Sequence, residues 1–287
     1  MIVGSPAFSI IIPTYDRPVE LARCLASLAT LVCPRRGFEV IVVDDGGSMA
    51  AADVAAPFRS ALDLTVLRVA HSGAARARNV GAEHARGGYL AFTDDDCMTD
   101  VGWLLALESR AKEAPGSLIG GRTLNALPAN ACSALSHLVL ENVYAHYNRD
   151  PDDARFFASN NLAAPTEDFR DLGGFDPAFR TAEDRDLCDR WRERGRRLVY
   201  AADAVVHHAH DLTIAGLWRQ HFGYGRGAYR FHSVRGRWAR FRIDRRFYRD
   251  LLLRPYARER GRRATLLVLL LVLQQAANAA GFVAEML

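Results

Sequence analysis

Four short apolar runs, at residues 8–12, 38–43, 64–69 and 89–93, each end in a polar cluster, and stretches with helical periodicity separate them. Runs that are apolar at nearly every position, rather than at alternate ones, suit strands covered on both faces. Strands alternating with helices bury such runs as a doubly wound, mostly parallel sheet with helices on both faces, an α/β fold. The first helical pattern begins near Pro18, with Leu21, Leu25 and Leu28 on one face and Thr14 or Asp16 placed to cap it. At 287 residues and 49% hydrophobic, the chain can build one large domain or a domain with appendages.

In sheets of this kind ligands bind beyond the carboxyl ends of the strands, so the residues just after each apolar run carry the functional reading. Those residues are Pro13-Thr14-Tyr15-Asp16-Arg17, Asp44-Asp45-Gly46-Gly47, His71-Ser72-Gly73 and Asp94-Asp95-Asp96. Three adjacent carboxylates repel one another unless solvated, hydrogen-bonded or neutralised by a cation. Oxygen ligands favour Mg2+ or Mn2+, ions that share their shell with substrate phosphates. A solvated turn is the alternative for Asp94, Asp95 and Asp96. Asp44 and Asp45 suit a base edge or ribose hydroxyls, or else an ordinary Asp-Gly turn. Gly73 opens a small-residue helix containing Arg78 and Asn79, fit either for a phosphate at its N-terminus or for plain packing on the sheet.

Several chemistries are excluded. Lys112 is the only lysine, which removes Schiff-base catalysis and a Walker-type phosphate loop. No GxGxxG follows the first strand, against a dehydrogenase. The five cysteines (Cys24, Cys33, Cys97, Cys132 and Cys188) are scattered and odd in number, against a disulfide framework or a zinc site and for a reducing compartment. No basic region followed by a long apolar run opens the chain, so a secretory signal is not expected.

Order and spacing of these strings are similar to family 2 glycosyltransferases of the GT-A fold. The matching pieces are Ser9-Ile-Ile-Ile-Pro-Thr-Tyr-Asp16, Val-Val-Asp-Asp-Gly at 42–46, Ala-Arg-Asn at 77–79 and Asp94-Asp95-Asp96. They continue through Asn160-Asn161, Gly173-Gly174-Phe175-Asp176, Glu183-Asp184 and Gln220-His-Phe-Gly-Tyr-Gly-Arg226, so that the resemblance spans residues 8–230. It implies a GT-A catalytic domain over 1–212, with a nucleotide-binding half at 1–121 and an acceptor half at 122–212, followed by a C-terminal helical extension at 213–287. Pro13, Thr14, Tyr15, Arg17, Asp44 and Asp45 would hold the nucleoside, and Gly73, Arg78 and Asn79 would lie near the diphosphate or ribose. Asp94 and Asp96 would ligate Mn2+ or Mg2+, with Asp95 on the nucleotide or the metal. Of the three histidines His207, His208 and His210, His208 is chosen to approach the metal. Asp184 would be the catalytic base, with Glu183 as competitor and helix N-terminal acids as the plain alternative. Trp191 suits either a sugar face or the core, the core being preferred.

The implied activity is inverting transfer of a hexose from a nucleoside diphosphate, by resemblance UDP, to a hydroxyl on a saccharide or lipid-linked acceptor in cell-envelope synthesis. The competing readings are a nucleotidyltransferase of similar fold and a catalytically silent nucleotide-sugar or membrane-binding module.

The segment 226–263 holds fourteen arginines against three acidic residues, a local balance of +11; with +4 for the whole chain, the remainder carries −7. Tyr229, Phe231, Trp238, Phe241, Phe247, Tyr248 and Tyr256 are interleaved with those arginines, and an aliphatic run follows at 264–273. Cations, interfacial rings and an apolar helix point to an anionic membrane surface rather than nucleic acid, with self-association or a single span as alternatives. The expected location is cytoplasmic, peripheral at the inner face of the cell membrane.

Overall fold

The structure is a computed structural model that describes residues 5–32, 37–236 and 244–287; Cys33, Trp238 and Phe241 lie outside the described residues. The described residues form two compact units. The first comprises Met1–Leu124, Asp150–Ala178 and Glu183–Ala209, the second Asn125–Arg149, Phe179–Ala182 and His210–Leu287.

The first unit is built on β1 (Phe8–Thr14), α1 (Pro18–Leu28), β2 (Phe38–Asp44), α2 (Ala51–Ala55), β3 (Leu64–Arg68), α3 (Ala74–His84) and β4 (Tyr89–Thr93). These are the four predicted strands, and β1, β2, β3 and β4 pair parallel with one another, Ile10 lying beside Val40 and Ala91. The sheet continues through β5 (Cys97–Thr99), α4 (Trp103–Glu113) and β6 (Leu118–Asn125) and, after α5 (Ala131–Tyr147), through β7 (Asn161–Pro165), α6 (Thr166–Asp171), α7 (Glu183–Glu193) and β8 (Leu198–His208). The strand order is β3-β2-β1-β4-β7-β6-β8-β5. β7 runs antiparallel to β4 and β6, and β5 antiparallel to β8. A parallel nucleotide-type half is thus joined edge to edge with an antiparallel half.

Alternation along β1 sends Phe8, Ile10 and Ile12 into one core with Leu21, Leu25 and Leu28 of α1 and Leu104 and Leu107 of α4. Ile11 points the other way, under α3, where a side chain at Gly81 would come within 2.6 Å of its methyl. The small residues of α3 therefore bring that helix close to the sheet. α1 is started by Pro18 without the expected cap: Thr14 donates to Asp95, and Asp16, at φ 52°, accepts from Ser48 and Met49. Asn161 ties the antiparallel half together, accepting from Trp103 Nε1 at 2.9 Å and donating to the carbonyls of Arg122 and Ala204. Trp191 is fully buried on α7 beside Leu187 and Cys188, so it serves the core and offers no face to a sugar.

The second unit consists of α5 with α8 (Ile214–Val234), α9 (Arg245–Arg258) and α10 (Gly261–Met286). Its core joins Leu135 and Leu138 of α5 to Leu217, Leu251, Leu267, Leu270 and Leu271. The helix expected in the acceptor half at 122–212 thus shares its core with the C-terminal helices, because its apolar face matches theirs, and a single cut after residue 212 does not separate the two units. Cys24, Cys97, Cys132 and Cys188 are buried and unpaired by disulfides.

Candidate active site

The carboxyl ends of β1, β2 and β4 bring the predicted polar clusters to one rim, where they serve two different ends. Asp44 accepts from the amides of Gly46 and Gly47 at 3.2 and 3.1 Å, with Arg68 3.8 Å away. Asp45 accepts from the amides of Ser72 and Gly73, each at 2.9 Å, and from His71 at 2.9 Å. Both carboxylates are buried and hold the loops after β2 and β3 in shape. Gly73 takes φ 93°, a value that favours glycine, and its amide is spent on Asp45. Pro13 is buried within β1, where it needs no donor: its pairing with β4 has already ended at Ile11. Tyr15 stands out into solvent, 47% exposed, with its ring centroid 4.5 Å from that of His71. Thr14, Asp16, Arg17, Pro18, Leu21, Asp44, Met49, Ala51 and Val54 line a small, open surface cleft.

The acidic triplet is held by cations instead. Arg17 places one guanidinium nitrogen 3.1 Å from Asp95 and 2.9 Å from Asp96, while Thr14 donates to the other oxygen of Asp95 at 2.8 Å. His208 Nε2 lies 3.1 Å from Asp96, whereas His207 turns away to Asp100 at 2.8 Å. The side chain of Asp94, 28% exposed, meets Arg78 at 2.6 Å, and the same guanidinium reaches Glu183 at 3.1 Å. Arg78, itself 3% exposed, therefore bridges the strand-end acids to the start of α7. Asn79 departs from its expected place near a diphosphate: its amide donates to the Phe175 carbonyl and accepts from the Phe175 amide, fixing the turn at Gly173 and Gly174.

Burial and charge set the protonation of this rim. Burial raises Asp95 to about 6, with Arg17 and Thr14 pulling the other way. Burial works against His208 charging, but its bond to Asp96 outweighs that and raises its pKa. Burial, then the field of Asp94 and Asp96, raises the Cys97 thiol well above its ordinary value. Asp184 lies two residues after Ala182, a non-glycine residue at φ 71°, in the first turn of α7, where its carboxylate accepts from the Arg185 amide at 2.7 Å. Burial, and next the adjacent Glu183, raise Asp184 to about 7, and Glu183 is raised by burial against the pull of Arg78. A carboxyl tuned in this way can take up a proton near neutral pH.

A divalent cation fits the groups present. Asp96, Cys97 and His208 offer donor atoms within 4.8 Å of one another. The thiol, kept protonated, leaves carboxylate oxygen and imidazole nitrogen as the donor set, and that chemistry suits Mn2+ or Mg2+.

A parallel strand-end rim continued by antiparallel strands, with an acidic triplet on the central strand, is the GT-A arrangement of a sugar-nucleotide transferase. Residues 9–155, just over half the chain, match glycosyl transferase family 2, and the chain belongs to that family. It is 26% identical over 225 residues to the glycosyltransferase AglE of Haloferax volcanii, covering 77% of this chain and 73% of that protein. It is 30% identical over 217 residues to the pre-mycofactocin glycosyltransferase of Mycobacterium tuberculosis, covering 72% of this chain but only 43% of that protein. In fold it is similar to the mannosyltransferase PcManGT from Pyrobaculum calidifontis, solved with GDP-Man and Mn2+, at a TM-score of 0.68 and 19% identity, over 98% of this chain and 87% of that one. It is also similar to residues 1–349 of S. aureus TarS, solved with UDP-GlcNAc, at a TM-score of 0.57 and 16% identity, over 97% and 90%.

Sequence reasoning missed Arg78 as a bridge and Arg17 as a clamp on the acids. Only their positive charge in a rim of acids could have signalled either role. Ser72 and His71 as partners of Asp45 left no signal beyond their polarity.

Proposed function

We propose that the chain is an inverting, metal-dependent hexosyltransferase. It moves a sugar from a nucleoside diphosphate, UDP by preference, to a hydroxyl on a saccharide or lipid-linked acceptor of the cell envelope. The observation that supports the reading is the run of contacts from Asp94 through buried Arg78 to Glu183, the residue before Asp184, whose own carboxyl is raised by burial to about 7.

Each residue then has one task. The cleft beside Thr14, Asp16 and Asp44 receives the nucleoside, with the Tyr15 ring as a stacking face. Arg17, whose side chain is 45% exposed, presents a cation to the diphosphate. Asp94, Asp96 and His208 would hold Mn2+ or Mg2+, which when bound supplies Lewis-acid neutralisation of the diphosphate. Asp184 takes the proton of the acceptor hydroxyl as that oxygen attacks the anomeric carbon, and a single displacement inverts the configuration. The negative charge of Glu183 keeps the proton affinity of Asp184 high, with Arg78 pulling the other way. The names of relatives support the substrate class, since TarS of Staphylococcus aureus is a poly(ribitol-phosphate) β-N-acetylglucosaminyltransferase.

The test is a thermal-shift panel of UDP, GDP, UDP-sugars and GDP-sugars with Mn2+, Mg2+ or chelator. A nucleoside diphosphate at a hundredfold its Kd should add about 2.7 kcal/mol of stability, and only with the cation. No stabilisation by any nucleoside diphosphate, or stabilisation untouched by chelator, would sink the donor or the metal assignment respectively.

A further inference from the structure

We infer that the outward face of α10, with the exposed residues of α9, is a docking surface for an anionic lipid bilayer, on which the protein lies without crossing it. α10 is long and apolar enough to span a membrane, yet its two faces differ. Ala264, Leu267, Leu271, Gln274, Ala277 and Gly281 are buried. The opposite stripe, with Leu266 44%, Leu269 63%, Val272 58%, Val283 46% and Met286 53% exposed, is uncharged from residue 264 to 284. At 1.5 Å per residue the stripe from Leu266 to Met286 extends about 30 Å. Ala276 and Ala279, also exposed, connect the two groups of larger side chains, and exposed apolar side chains over such a length mark an interaction surface.

The charges beside it say what covers it. Arg262 is exposed one turn before Leu266 on the same stripe. On α9, Tyr248, Leu252, Leu253 and Tyr256 are exposed among exposed Arg245, Arg246, Arg249 and Arg258. Arginines with tyrosines and leucines at helical spacing match a bilayer interface, the guanidinium groups meeting phosphate headgroups and the rings and aliphatic chains entering the acyl boundary. A second copy of the chain would instead set these cations against their own kind.

The buried face explains why the helix lies on the surface. A Cβ on Gly225 of α8 would collide with the Asn278 carbonyl, and one on Gly281 with that of Phe222, so α8 and α10 meet backbone to backbone. Gln274 is buried and bonded to His221 of α8 at 2.9 Å. Leaving α8 to span a membrane would strip these groups of their partners and put them in lipid.

The experiment is flotation of the full chain with phosphatidylcholine vesicles, with and without phosphatidylglycerol, in low and high salt. Binding should require phosphatidylglycerol and be released by salt. The double variant Leu269→Glu/Val272→Glu and, separately, Arg245→Glu/Arg249→Glu should each weaken it about tenfold or more, with circular dichroism and melting temperature unchanged. Equal binding to both vesicle types, or a protein that resists extraction by salt and alkali, overturns the proposal. So does a wild-type chain that ignores vesicles but runs as a dimer by light scattering, with Leu269→Glu restoring the monomer.

Discussion

Asp44 and Asp45 at the end of β2 and Asp94, Asp95 and Asp96 at the end of β4 are the same residue type at equivalent places in one sheet, yet they are satisfied differently. The β2 pair spends its oxygens mainly on backbone amides of Gly46, Gly47, Ser72 and Gly73. The β4 triplet, with Glu183, rests on side-chain cations: Arg17, Arg78 and His208. Amide-held carboxylates cannot be released without unmaking a loop, whereas ion pairs can be exchanged for another cation or an anionic substrate. The first arrangement builds the rim, and the second is equipped to react.

Substitutions should break the comparison in order of severity. Asp184→Asn removes the proton acceptor and should lower transfer by about 10²–10⁴-fold while nucleotide-induced stabilisation persists; normal turnover would place the base elsewhere. Asp96→Asn should lower transfer by about 10²-fold or more and abolish the Mn2+ dependence of donor binding, with little loss of fold. Undiminished activity of this variant in chelator would remove the metal from the β4 rim.

The contrasting change, Asp45→Ala, should act on stability first. Losing charge-assisted bonds from the buried carboxylate to two backbone amides costs about 2 kcal/mol, a fall in Tm of about 4–8 °C, read by calorimetry without ligand. A drop in activity with an unchanged Tm would show that Asp45 also serves the donor.

A smaller effect concerns pH. Asp184 is raised in the folded state, so its protonated form stabilises the fold below the unfolded value of 3.8, and that contribution is lost as pH rises to about 7. Chemical denaturation from pH 4 to 8 should therefore show Asp184→Asn gaining about 1–2 kcal/mol on the wild type toward the upper end, and transfer by the wild type should rise over the same range. Smallest of all, Tyr15→Ala should weaken donor binding by about 1 kcal/mol, close to fivefold in Kd by titration, leaving the metal requirement intact.

How much was legible in advance depended on whether a feature is local. Apolar runs located β1 to β4, Pro18 located the start of α1, and the strand-end acids located the rim, because strand burial and turn chemistry act over a few residues. Spacing could not tell that Asn79 would clamp Phe175, 96 residues away, or that Arg78 would reach Glu183, 105 residues away. Nor could it show that Asp44 and Asp45 are consumed by amides, since an Asp-Gly turn and a ribose contact look alike in one dimension. The antiparallel half and the grouping of α5 with the C-terminal helices depended equally on contacts between distant segments.

By itself, then, the sequence determined a doubly wound sheet, its polar strand-end rim and the family's acidic and basic residue types, each being a matter of periodicity and composition along a short stretch. Only the tertiary structure decided which acids hold loops and which hold charge, which histidine faces Asp96, and which side of α10 stays bare. Those outcomes turn on which donors and apolar surfaces long-range packing brings within a few ångströms of each side chain.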